Sequence, residues 1–459
     1  MPTIVITNAT VVTGDADRTV LYDSAIAVED DRIVALGQTP NVMSRYPNGD
    51  VVNGRSKAVF PGLINCHAHL VAAIDRGITE DFGFPPAFRF PQNVRSLLSE
   101  EEVTVMAMLG AIECIRTGNT STVEAAEGID RYAGAIAATG LRWFLAENGG
   151  DGVTGPDYKP GEVVTEFSDA MRAEVMEHQT RLFEKWHGKE NGRIRCMAAA
   201  ILVETASPEM LRDIRTLAER YQTGYTIHLD QSRLEVESVL QVRGVRPAHY
   251  LAASDFLSSR LVAAHCRYPG ASEIDVLGAS RIAVSHQPAM AARRAVIPPI
   301  PALRDAGCTI GLGTDNNTQD MVEVMRTALF TERILLDDPT TPQPEDVLEW
   351  ATLGSARALH MEDSLGSLEV GKKADLFIVN TQRPHLVPTM RIVSGFIHNG
   401  QPGDIESVMV DGTFLMRDGI VITVDEEEIV KEADRIGRRA WRRLVERYPD
   451  VPFPVDLAP

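Results

Sequence analysis

Residues 61–70 read PGLINCHAHL, an apolar run that ends in His67 and His69. Side chains two apart on a strand share a face, so both imidazoles point the same way and can converge on one ion. A His-x-His pair also arises by chance in a satisfied polar core, so its meaning depends on what the other strands do. Three more apolar runs close on a ligand-type residue: TGYTIHLD (223–230) at His228, RLVAAHC (260–266) at His265 and CTIGLGTD (308–315) at Asp315.

Working outward, strand-like runs also occur at GNTSTVEAA (118–126), RWFLAEN (142–148), IRCMAAAILV (194–203) and RIAVSHQP (281–288), which brings the number to eight. Helical stretches such as SEEEVTVMAMLGAIECIRTG and SPEMLRDIRTLAERYQTG alternate with them. That alternation predicts parallel βα units, and eight of them in roughly 300 residues predict a closed (β/α)8 TIM-type barrel over 59–362. The flanks differ. Short β-rich pieces with turn signals fill 1–58 (TIVITNATVVTG, SAIAVEDDRIVALG) and return over 363–424 (ADLFIVN, IESVMVDGTFLM), so the two ends are expected to pair into one small β-sandwich domain. Residues 425–459 open with a charged helix, acidic early and basic late as the helix dipole prefers. The expectation is a solvated terminal or oligomer-packing helix.

The net charge of −19 and pI near 5.1 repel nucleic acid and anionic membrane, and no apolar run reaches the length of a membrane span. The N-terminus lacks a signal-peptide pattern, and the chain is expected in the cytoplasm. The five cysteines are far apart, without a C-x-x-C pair and odd in number, which predicts reduced, mostly buried thiols. Cys66 and Cys266 adjoin histidines of interest, but neighbouring strand residues face opposite sides.

In a parallel barrel the strand C-termini gather on one face, so His67, His69, His228, His265 and Asp315 become neighbours there. Histidine and carboxylate donors suit zinc, iron or a similar divalent ion, with an open position for a water. Attack by that water needs a proton acceptor, for which Asp315 is the candidate, while His265 either orients the water or stabilises negative charge on the substrate. His286 ends another strand and is expected to open onto the pocket, with a packed structural role as the alternative. His178, His187, His249, His360, His385 and His398 have helical or loop settings and are expected to be structural or solvated.

These residues resemble the amidohydrolase superfamily, in its branch of triazine hydrolases and cytosine deaminase-like aminohydrolases. The resemblance covers nearly the whole chain: PGLINCHAH, IHLDQSRLEVESV, AAHCRYPGASEIDVLGASRIAVSHQP, GLGTDNNTQDMVEVMR and LGSLEVGKKADLFIVN are each similar to a family segment. It implies one catalytic divalent metal on His67, His69, His228 and Asp315, zinc first with iron or manganese as alternatives. It further implies His265 beside the activated water, hydrolysis of a C–N bond in a small cyclic or heteroaromatic compound, and a homo-oligomer.

Two departures matter. The family's deaminases carry a proton-shuttling glutamate three residues after the third histidine, where this sequence has Gln231, which hydrogen-bonds but exchanges no proton at neutral pH. Asp230, with an exposed loop carboxylate as its alternative reading, or Glu124 is then the candidate replacement acid, and Gln231 and Glu124 join the expected substrate-binding set. Arg293 and Arg294 also stand where relatives carry small polar residues, and at least one is expected to grip a substrate carboxylate or carbonyl. Loss of an amino group is the leading reaction. The alternatives are the same metal site displacing halide or sulfur or opening a ring, and a non-catalytic scaffold.

Overall fold

The computed structural model describes residues 3–82, 84, 90–155 and 158–455. Strands β1 (Ile4–Val12), β2 (Val20–Glu29), β3 (Arg32–Gln38), β4 (Asp50–Asn53) and β5 (Lys57–Pro61) precede the barrel strands β6 (Leu63–Ala68), β7 (Asn119–Ala126), β8 (Arg142–Glu147), β9 (Ile194–Leu202), β10 (Tyr225–Leu229), β11 (Leu261–His265), β12 (Ala283–His286) and β13 (Thr309–Leu312). Strands β14 (Leu376–Asn380), β15 (Ile405–Val410), β16 (Thr413–Arg417) and β17 (Ile420–Val421) follow.

The eight strands β6 to β13 form one parallel sheet in sequence order, as the alternation of apolar strands and helices requires. The seam between β13 and β6 closes at the site itself, by an isolated parallel bridge of Ala68 with Asp315. Thr314 N and Asp315 N both donate to His67 O, at 3.1 and 3.0 Å. Gly313 suits this close approach, because a Cβ there would lie 2.8 Å from Ser285 Oγ and 3.0 Å from both the N and the O of His67, so the seam would have to shift. Asn65 adds a buried lock, its Oδ1 accepting from Thr314 N (3.1 Å) and its Nδ2 donating to Thr314 Oγ1 (2.8 Å).

Strand alternation divides the apolar residues into two layers. Ile64, Val123, Phe144, Met197 and Val262 fill the barrel interior, closed from below by Ala356 and Leu359. Their strand neighbours pack outward onto the helices. The helix Pro208–Arg220 shows how: Ser207 caps it through Met210 N, and Met210, Leu211, Ile214, Leu217 and Ala218 make one buried stripe.

The terminal segments pair into a single nine-stranded sheet, ordered β17-β16-β15-β14-β5-β1-β2-β3 with β4 beside β1. Antiparallel pairing of β5 with β14 joins the two ends of the chain, and strands from both ends share one core around Ile26, Val59, Leu376 and Met409. Gly62 alone separates β5 from β6. The helix Glu426–Arg447 leaves its charged face, with Lys431, Asp434, Arg435 and Arg438, exposed and docks its other face on the barrel. Its apolar stripe of Ala433, Ile436, Ala440, Trp441 and Leu444 packs on this chain's own Ala73, Ile74 and Met106, and Trp441 Nε1 donates to Ile74 O at 2.9 Å.

Candidate active site

Four strand ends meet at the barrel mouth. The His67 ring centroid lies 4.7 Å from that of His69, 4.8 Å from His228 and 5.4 Å from His265. His69 Nε2 is 3.4 Å from His228 Nε2 and 3.7 Å from Asp315 Oδ1. Backbone carbonyls fix two tautomers: His69 Nδ1 donates to Ala125 O and His228 Nδ1 to Ile201 O, which leaves both Nε2 lone pairs facing the centre. Both ring nitrogens of His67 are buried without a hydrogen-bond partner.

These donors fit a divalent metal. With bonds of about 2.0–2.1 Å, neighbouring ligands of a tetrahedral ion lie roughly 3.3 Å apart, close to the distances from His69 Nε2 to His228 Nε2 and to Asp315 Oδ1. Burial, reinforced by the neighbouring imidazoles, holds His67 well below the usual histidine range, and burial brings His69 down to about 4, so both are neutral ligands. Burial alone would raise the Asp315 carboxyl, but Arg294, His69 and Arg267 together hold it below its ordinary value.

Above the centre lies a cavity of about 520 Å³ lined by His69, Glu124, His228, Gln231, His265, Arg294 and Asp315 among others. His265 Nδ1 is 3.9 Å from Asp315 Oδ2. Glu124 is fully buried, accepts from Tyr132 Oη at 2.7 Å and Leu70 N at 3.0 Å, and is pushed up to about 7 by burial.

Three of the singled-out residues lie elsewhere. His286 does not line the cavity: Ala283 faces the barrel interior, so two-residue alternation turns His286 to the helix layer, where its Nε2 is 3.5 Å from Glu332 Oε1 and both groups are fully buried. Arg293 is turned away onto Glu323, with Nη2 at 2.9 and 3.0 Å from the two carboxylate oxygens. Asp230 is neither an exposed loop carboxylate nor a lining residue; it is buried, its oxygens unpartnered, and burial together with the Glu273 charge raises it well above the usual carboxylate range.

Sequence reasoning passed over Arg267, Arg95, Asn316 and Tyr132. Arg267 follows the His265 strand end by two residues, a position that could have drawn notice, and donates to Asp315 Oδ2 and Gln231 O, both at 3.3 Å. Arg95 sits in the short helix Val94–Leu97, ion-paired with Asp75 at 2.6 Å, and carries no periodic signal. Neither Cys66 nor Cys266 lines the cavity; all five cysteines are free and buried.

Residues 58–415 match the family model described as the Amidohydrolase family. The chain is 32% identical over 424 residues to the 5-methylthioadenosine/S-adenosylhomocysteine deaminase of Desulforudis audaxviator, covering 91% of this chain and 95% of that one. It is 32% identical over 418 residues to the 5'-deoxyadenosine deaminase of Methanothermobacter thermautotrophicus, covering 89% and 93%. Among solved structures, a zinc-bound adenosine deaminase from Xanthomonas campestris superposes with a TM-score of 0.87 at 25% identity, covering 96% of this chain and 98% of that one. The zinc complex of atrazine chlorohydrolase from Arthrobacter aurescens gives a TM-score of 0.84 at 24% identity, covering 95% and 100%.

Proposed function

We infer that this chain, which belongs to the amidohydrolase family and is a metal-dependent hydrolase of C–N bonds other than peptide bonds, removes an amino group from a purine-like heterocycle. The observation that carries the reading is the convergence of His67, His69 and His228, with Asp315 Oδ1 3.7 Å from His69 Nε2, from three strand ends on the floor of a cavity sized for a small molecule. Deaminase relatives at about 30% identity across nearly the full chain support the choice of amino group and ring.

His67, His69, His228 and Asp315 would hold one divalent ion, zinc by preference with iron or manganese as alternatives. Such an ion, when bound, would supply the acidity that makes a water nucleophilic at neutral pH, in position to attack the amino-bearing carbon. Asp315 Oδ2, on the side facing His265, takes the proton of that water and returns it to the departing nitrogen. His265, neutral because burial and Arg267 depress it, holds the attacking oxygen by a hydrogen bond. Gln231 hydrogen-bonds a ring nitrogen. Glu124 supplies the proton exchange that Gln231 cannot, being the cavity carboxyl poised near neutrality. The C–O bond forms by addition to the ring carbon, the C–N bond then breaks as the amino nitrogen takes its proton, and ammonia and an oxo-heterocycle leave.

Among the described residues no helix is long and apolar enough to cross a membrane. We take the protein to be a cytoplasmic homo-oligomer that binds neither nucleic acid nor membrane. The net charge of −19 supports the first exclusion, and exposed Phe330, Ile334, Leu335 and Leu336 on the helix Met321–Leu336 offer the apolar surface a second copy would cover.

The test is elemental analysis of protein purified without added metal, together with ammonia release from aminopurines and their nucleosides with and without chelator. About one metal per chain and chelator-sensitive ammonia release are expected; metal-free protein that still releases ammonia would sink the reading. Gln231 favours a second reaction, loss of a group that departs without being protonated, such as halide. Halide or sulfide appearing in place of ammonia would select it.

A further inference from the structure

Two guanidinium groups lie against Asp315 at the reacting end of the cavity. Arg267, whose side chain is 1% exposed, spends one nitrogen on Asp315 and another on Gln231 O, and its Nε has no hydrogen-bond partner. Arg294, with its side chain 11% exposed, places Nη1 at 3.8 Å from Asp315 Oδ2, and that nitrogen is buried without a hydrogen-bond partner. Its guanidinium lies 4.3 Å from the centroid of the Phe84 ring. Arg294 and Phe84 together line the catalytic cavity and two adjoining ones, of about 340 and 220 Å³, and so stand at the junction of all three.

Two cations therefore face one carboxylate, and that carboxylate is also a metal ligand. Arg293 and Arg95 each have a carboxylate of their own, Glu323 and Asp75, and Arg131, on the wall of the cavity, donates to the backbone carbonyls of Gly128 and Glu127. Taking a guanidinium out of water is costly unless an anion answers it, and the planar fork of arginine suits a planar oxygen anion above all. A metal would add further positive charge at the same place. A neutral ring edge leaves this excess unanswered, particularly with an amide at position 231.

We propose that Arg294 is a substrate-reading residue and that the substrate carries a planar oxygen anion, a carboxylate or a deprotonated ring oxo group, on the heterocycle that loses its amino group. Arg267 is a positioning residue, holding Asp315 Oδ2 and the Gln231 backbone. The inference rests on the aminohydrolase reading but is tested by binding rather than turnover.

The experiment is calorimetric titration of the metal-loaded protein with two matched, unreactive pairs: nicotinate against nicotinamide, and barbiturate against uracil. In at least one pair the anion should bind about ten- to a hundred-fold more tightly than its neutral partner, the worth of a charge-assisted contact. Preference in the nicotinate pair alone identifies a carboxylate, and in the barbiturate pair alone a ring oxo anion. Arg294→Gln should abolish the preference with metal content unchanged, while Arg294→Lys, which keeps the charge and loses the fork, should weaken the anion several-fold and leave the neutral partner alone. Absence of any preference overturns the proposal. So does a preference that survives in both variants, because the anion then sits on the metal. Anion selectivity without ammonia release from any amine would overturn the aminohydrolase reading and leave this one standing; ammonia release with no anion preference would do the reverse.

Discussion

Arg142→Met tests how the small domain is anchored beneath the strand that carries His67. Arg142 is fully buried at the start of β8, and its Nε and Nη2 lie 3.1–3.2 Å from the carboxylate oxygens of Asp375, just before β14. Nη2 also donates to Asp411 Oδ1 at 2.6 Å. Asp375 in turn holds the joint between β5 and β6, since its carbonyl accepts from Gly62 N at 3.0 Å. Methionine fills most of the arginine's volume, so the loss is chiefly electrostatic: a carboxylate with a side chain 4% exposed is left without its cation. Breaking a buried pair from one side costs roughly 3–5 kcal/mol. For a chain of 459 residues the unfolding entropy makes about 1 kcal/mol worth ~1 °C, so Tm should fall by ~3–5 °C. The deficit should depend on pH. Burial already raises Asp375 above its ordinary value with Arg142 present, and removing the cation raises it further, so the folded variant binds more protons than the unfolded chain and its stability falls as pH rises. Thermal melts at pH 5.5 and pH 7.5 should show the gap to the parent widening with pH, and Asp375→Asn in the Arg142→Met background should recover much of it. A variant within 1 °C of the parent at pH 7.5, or a gap indifferent to pH, would refute the reasoning.

Chelation should abolish activity and lower Tm by a few degrees, since a ligand at 100–1,000 times its Kd stabilises the fold by roughly 3–4 kcal/mol; readdition of zinc should restore both, and melts with and without chelator check it. Glu124→Gln should lower kcat by about a hundred-fold or more and remove an inflection near pH 7 from the rate profile, as measured by ammonia release across pH. The same variant should gain stability relative to the parent as pH rises from the ordinary glutamate value of 4.5 to about 7, because over that window the parent's native state keeps a proton that the unfolded chain has lost. Arg293→Ala should leave KM unchanged and cost no more than about 1 kcal/mol, its ion pair being half-exposed, and His286→Leu should lower Tm through the stranded Glu332 while sparing KM; steady-state kinetics on both would show otherwise if either faces substrate.

Much of the fold was legible because each barrel strand is a short apolar run and the run lengths leave room for a helix between them. The ligand set was legible for the same reason: a histidine or aspartate at the end of an apolar strand stands out against its neighbours. Gln231 was legible by its offset from His228, and the structure places it on the cavity wall. What escaped depended on which way a side chain turns. His286 and Arg293 have suitable chemistry near a strand end, but Glu332 and Glu323, on the helix Met321–Leu336, draw them outward, and no local pattern ties residue 286 to residue 332. Arg294, one residue beyond Arg293, lines the cavity.

The comparison of His265 with His286 shows why strand parity alone fails at such a site. In β11, Val262 faces the barrel interior while Leu261 and Ala263 face the helices, so alternation assigns His265 to the helix layer, as it correctly does for His286 in β12. Yet His265 meets the His67 and His228 rings inside the mouth. The backbone supplies the difference: His265 has φ +83° and Cys266 φ +45°, two consecutive residues in the left-handed region. Asp315 follows suit at φ +71°, directly after the seam that Gly313 permits. Each such residue costs of order 1–3 kcal/mol and persists only where the surroundings over-determine it. Here they do: Cys266 N donates to Leu229 O at 2.9 Å, and Arg267 N and Tyr268 N both donate to Asp230 O at 3.1 Å, so the kinked strand end is pinned to the neighbouring β10. The residues that break the strand pattern are the ones that bring His265, Arg267 and Asp315 to one point, and strain of that kind is concentrated where the chemistry requires a side chain the regular strand would have turned away.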